Sequence, residues 1–190
     1  MTLSPMAVAF LTLFALGAAV PLAAESPPDD AHAHVRMTDK RLHRLVHEGL
    51  RDSDTFRGLV ARLEQSDVVV YFECDLAMRP AGRLTFVSAV AGVRYLHVRL
   101  SRLGSREQQI ALIAHELRHA VEIADAPEVV DVASLGAAYE RIGYVNHGVA
   151  TPGVAFDSEA AVRTGYQVLR ELSGRQPSGP GLLAAVKVTR

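Results

Sequence analysis

The residues best equipped for chemistry are His115, Glu116 and His119, within the run His115-Glu116-Leu117-Arg118-His119. On an α-helix, side chains four apart stack one turn above the other, so the two imidazoles can offer nitrogens to one ion at roughly 2 Å. Such a pair is a bidentate zinc clamp. Glu116 lies about 100° round from His115, poorly placed to be a third ligand on the same face but close enough to reach a water held there. That position suits a general base. Zinc lowers the pKa of bound water toward ~7 and polarises a carbonyl, while a nearby carboxylate takes the proton and later delivers it to a leaving amine. The spacing predicts metal-assisted hydrolysis with Zn2+ as cofactor.

These residues need a rigid helix to hold them. Ser105 and Gln108 match a capping box, opening a helix from about Arg106 to about Ala124, before Pro127. Ile110, Ile113, Leu117, Ala120, Val121 and Ala124 make it apolar well beyond one stripe, as expected for a helix packed between a sheet and other helices. Upstream, Leu42, Leu45, Val46 and Leu50 share one helical face, and Asp54 or Thr55 can cap a second helix carrying Leu59, Val60 and Leu63. Val68 to Glu73 is β-branched and aromatic, and Arg83–Val90 and Val93–Leu100 predict a hairpin around Ala91-Gly92. Downstream, a helix follows Asp131, an irregular stretch occupies Gly143 to Ala155, and a last long helix runs from near Asp157 to Leu172. Ser173 to Pro180 forms a loop, and Leu182 to Val188 suits a strand or a helical turn equally.

At 190 residues and 49% hydrophobic content, the chain can bury one core. Residues 1–24 carry no charged side chain, and Met6 to Val20 is almost wholly apolar before Pro21-Leu22-Ala23-Ala24. This predicts a secretory signal peptide over 1–24, with an uncleaved anchor as the alternative because no Lys or Arg precedes the apolar run. Residues 25–37, which include Ser-Pro-Pro-Asp-Asp, His32 and His34, are expected to form a flexible linker. A single domain should then occupy 38–190, exported to the periplasm or secreted. A formal net charge of −1 supplies no broad basic footprint for nucleic acid, and beyond Ala24 no apolar run reaches the ~20 residues of a spanning helix. No nucleic-acid partner is expected, and no membrane contact unless the signal is retained. Cys74 is the only cysteine and is expected to be a reduced thiol beside a strand.

The motif, preceded by Ile110-Ala111-Leu112-Ile113-Ala114, resembles the active-site helix of the zincin metallopeptidases. The resemblance implies an α+β zincin-like fold: a small mixed or antiparallel sheet packed on the active-site helix with additional helices, the Val93–Leu100 strand lining a groove for an extended peptide. It also implies a third protein ligand. Metzincins place a Gly and then a His or Asp at the positions held here by Glu122 and Asp125; the Asp fits and the Gly does not, so the helix should continue through this region. Gluzincins take a carboxylate from a later helix, and Phe156-Asp157-Ser158-Glu159-Ala160-Ala161 resembles that pattern. Projecting the apolar face of Ala161, Val162, Gly165, Val168, Leu169 and Leu172 backward favours Asp157, with Glu159 as the alternative and Asp125, Glu122 or His147 behind them. Tyr144 and His147 are transition-state donors to be considered, although core packing also suits Tyr139 and Tyr144. Glu122 can orient a ligand imidazole. The expected activity is hydrolysis of a peptide or protein substrate, with a non-catalytic zincin-fold envelope scaffold as the alternative.

Overall fold

The computed structural model describes residues 32–78, 81–102, 104–145, 155–174 and 186–189. Its centre is a hairpin of β3 (Gly82–Val90) and β4 (Val93–Leu100). Along β4 partly exposed and buried residues alternate without a break, burying Arg94, Leu96, Val98 and Leu100 on one face. The turn uses Ala91 and Gly92, both at positive φ, 52° and 80°, the geometry that lets a two-residue loop follow the strand twist. A register shift between Phe86 and Ser88 leaves Val87 exposed at the bulge.

The remaining strands extend this hairpin on both sides. β2 (Val68–Cys74) pairs parallel with β4, and β1 (Val35–Met37) pairs parallel with β2. On the other side β7 (Val186–Thr189) runs parallel to β3, β6 (Ala155–Asp157) antiparallel to β7, and β5 (Tyr144–Val145) antiparallel to β6. The sheet is mixed, in the order β1-β2-β4-β3-β7-β6-β5, and the architecture is α+β.

α3 (Arg106–Ala124) lies across this sheet and is covered by α1 (Lys40–Asp52), α2 (Asp54–Glu64) and α5 (Glu159–Ser173). Both of its sides are therefore buried, from Ile110 to Leu117 and again from His119 to Ile123. Its start is closed by the reciprocal Ser105–Gln108 capping box. Its end is held by Arg94, 3% exposed, whose Nη1 donates to the carbonyls of Ile123 and Ala126 at 2.7 Å while Nε and Nη2 form a fork on Asp67. α4 (Val132–Ile142), capped by Asp131, packs near β3 and β6.

Several expectations need correction. The linker does not extend to residue 37: Val35–Met37 is a strand, anchored by His34, whose N–H donates to Glu64 and whose Nδ1 contacts the Val68 carbonyl. The Val93–Leu100 strand cannot line a peptide groove with its edge, because β2 and β3 occupy both sides of it. Asp157 does not lie on the last helix; it ends β6, and Ser158, extended at φ −126°, takes the N-cap. Of the tail, Val186–Thr189 is a strand. The signal-peptide region lies outside the described residues; among those described, no helix is long and apolar enough to cross a membrane.

Candidate metal centre

The four-residue spacing on α3 brings His115 Nε2 and His119 Nε2 to 3.1 Å of each other. Asp157 Oδ1 lies 3.4 Å from the first and 3.5 Å from the second. Ligand atoms about 2.0 Å from a tetrahedral zinc ion are about 3.3 Å apart, so the three edges match one face of such a tetrahedron. All three residues are wholly buried. Two imidazole rings and a carboxylate from a strand distant in sequence thus converge at one buried point, where one ion could be shared among them.

The protein orients one of these rings through a second set of contacts. His119 Nδ1 lies 3.0 Å from Glu122 Oε2 and 2.9 Å from the Tyr139 hydroxyl, which itself donates to Glu122 Oε2 at 2.9 Å. Ser158 Oγ donates to the other Glu122 oxygen at 2.6 Å. An ionised Glu122 only accepts, so Nδ1 of His119 carries a proton and Nε2 is presented as the ligand atom. The serine that caps α5 thus also ties the strand bearing Asp157 to the helix bearing His119.

Electrostatics and unsatisfied atoms both fit a cation. Burial opposes charge on His119, yet its bonds with Asp157 and Glu122 prevail and raise it to about 9. Burial likewise works against the Asp157 carboxylate, but His115 and His119 draw it down to about 2. At His115 burial wins and its pKa falls despite Asp157. His115 Nδ1, Asp157 Oδ2 and both oxygens of Glu116 are buried with no hydrogen-bond partner. Of these, the carboxylate oxygens are unpaired buried acceptors that a divalent ion or a bridging water could satisfy. The group can hold a metal ion.

Glu116 faces the sheet beside this group. Burial pushes its carboxyl up to about 8, partly offset by His119. Its Oε1 sits over Gly82, where a Cβ would come within 2.1 Å of that oxygen. Any Cβ there would force the Glu116 carboxylate to shift, a constraint that no pattern in the sequence signalled.

The other residues singled out from sequence divide clearly. Glu159 is exposed and pairs with Arg163, while Asp125 is the C-cap of α3 and pairs with Arg62 at 2.5 Å. Neither reaches the site. Tyr144 is 49% exposed on β5; burial and the negative charge of Asp157 raise its hydroxyl, which marks it as a neighbour of the ligand carboxylate. His147 lies outside the described residues. Glu122 takes the orienting role expected of it. Tyr139 is buried in the core as one reading had it, but its hydroxyl also serves Glu122. Comparison of the chain with protein-family models, curated proteins and solved structures finds no match, so the functional reading rests on this geometry.

Proposed function

We propose that this chain is an exported zinc-dependent hydrolase of amide bonds, zincin-like in its active-site helix. The observation that carries this reading is the trio of His115 Nε2, His119 Nε2 and Asp157 Oδ1, spaced as three corners of a zinc tetrahedron beside an unpaired carboxylate. His115, His119 and Asp157 would hold the ion. When bound it would polarise a substrate carbonyl and acidify a water. Glu116, with no hydrogen bond to compete for it, would be the residue placed to take a proton from a water there and return it to a leaving nitrogen. Glu122 and Tyr139 hold the His119 ring, and Tyr144, near Asp157, can donate to a developing oxyanion.

One observation favours a second reading. His115, Glu116, His119 and Asp157 are each 0% exposed, so a peptide reaches them only after some covering segment moves. A metal centre that never opens would make the protein a zinc-stabilised scaffold of the envelope. The two are separated by incubating zinc-loaded protein with a mixed peptide library. The hydrolase reading expects metal-dependent cleavage, reduced about 10²–10⁴-fold in Glu116→Gln with zinc content unchanged. Equal inactivity of both proteins, each still holding zinc, would establish the scaffold.

A further inference from the structure

Arg118 stands inside the run His115-Glu116-Leu117-Arg118-His119, and the proposed hydrolysis gives it no part. Its Nε lies 3.6 Å from Glu122 Oε1, beyond hydrogen-bond length, and that buried nitrogen has no hydrogen-bond partner. A donor left unpaired in the interior costs stability, so packing alone does not account for it. Helix stability does not account for it either. An arginine four residues before a glutamate is the less favourable order for such a pair, since each charge then sits nearer the wrong end of the helix dipole.

What the pair does supply is charge. Glu122 is held in place without Arg118, because Ser158 Oγ donates to Oε1 while the Tyr139 hydroxyl and the His119 ring hold Oε2. Removing the guanidinium would leave that geometry standing. It would take away a positive charge, present at any ordinary pH, that lies one carboxylate from a ligand ring. The Glu122 side chain is 7% exposed, so water screens the pair little on that side. Arg118 is 34% exposed and borders an open cleft against α5, where a shorter or uncharged side chain can be accommodated.

We propose that Arg118 acts through Glu122 to hold the zinc affinity of the metal centre down. The proposal rests on the metal centre described above. Glu122 favours a divalent cation in two ways, through its own negative charge and by pulling on the His119 Nδ1 proton, which makes Nε2 the better ligand atom. A guanidinium set against that carboxylate opposes both, so the two effects share one sign. The proposed hydrolysis gains from this balance, because Lewis-acid catalysis works through charge that the surroundings have not cancelled.

The test is the zinc affinity of the full chain, stripped of metal and refilled in competition with a chromogenic chelator. Arg118→Gln is expected to bind zinc at least about threefold more tightly than wild type, Arg118→Met, which keeps the apolar stem, to match it, and Arg118→Lys to stay within about twofold of wild type. The signature is a gain of affinity. Loss of a merely structural contact would weaken zinc binding or leave it unchanged, and either result in the Gln and Met variants overturns the proposal. A Lys variant as tight as the Gln variant also overturns it, since charge would then not be the cause. Wild type that takes up no zinc overturns the metal centre as well, which distinguishes that failure from the failure of the Arg118 proposal alone.

Discussion

His119 is the most constrained residue of the site, since one nitrogen faces His115 and Asp157 while the other is held by Glu122 and Tyr139. Losing the outer partner should loosen the ring without removing a ligand. Glu122→Gln is predicted to lower zinc affinity about 10–100-fold while the protein remains folded, measured by competition with a chromogenic chelator. Gly82 is constrained from the other side, by the Glu116 oxygen that a Cβ would meet at 2.1 Å. Gly82→Ala should cost about 1–3 kcal/mol in chemical denaturation, and most of that cost should vanish in a Glu116→Ala background. An undiminished cost there would mean that the strand backbone, not the carboxylate, sets the requirement. The imidazole pair and Glu116 were legible from spacing alone, because helical geometry converts i and i+4 into one face. Tyr139, Ser158 and Gly82 were not, since each acts through a contact between segments far apart in the chain.

At the scale of elements, α3 is held at its end by an arginine from β4. Arg94 is buried, bonds carbonyls at the end of α3 and just beyond it, and forms a fork on Asp67, whose carboxylate is 44% exposed. The Arg94 hydrogen bonds hold Asp67 below the ordinary aspartate range, with burial opposing. The sign follows from linkage: a carboxyl with a depressed folded pKa adds stability above its unfolded pKa and loses it as pH falls through the folded one. Thermal melts from pH 6 downward should therefore show wild type losing stability more steeply below about pH 4 than Asp67→Asn does. Parallel slopes would remove Asp67 from the account. The long, periodic elements here were readable: α1, α2, α3 and the β3–β4 hairpin fall where apolar spacing puts them, although Ser53 and not Asp54 or Thr55 caps α2. The short strands were not. β1, β5, β6 and β7 have two to four residues each, too few for a pattern, and exist through pairing such as Val35 with Val70 across the fold. For the same reason Asp157 was assigned to a helix, although the choice of Asp157 over Glu159 matches the cluster in the structure.

For the molecule as a whole, the mixed sheet, α3 and α5 together enclose a polar centre that an apolar core would not tolerate uncompensated. An ion held there would bear on stability as well as on the proposed chemistry. Any ion that binds the folded chain and not the unfolded one should raise the melting temperature in proportion to its affinity and concentration. The most direct measurement is the metal content of the purified protein by elemental mass spectrometry, with His115→Ala, His119→Ala and Asp157→Ala beside it. The account predicts one zinc per wild-type chain and its loss from each variant, accompanied by loss of the metal-dependent rise in melting temperature. Wild type free of metal after exposure to zinc, or variants that retain a full equivalent, would contradict it.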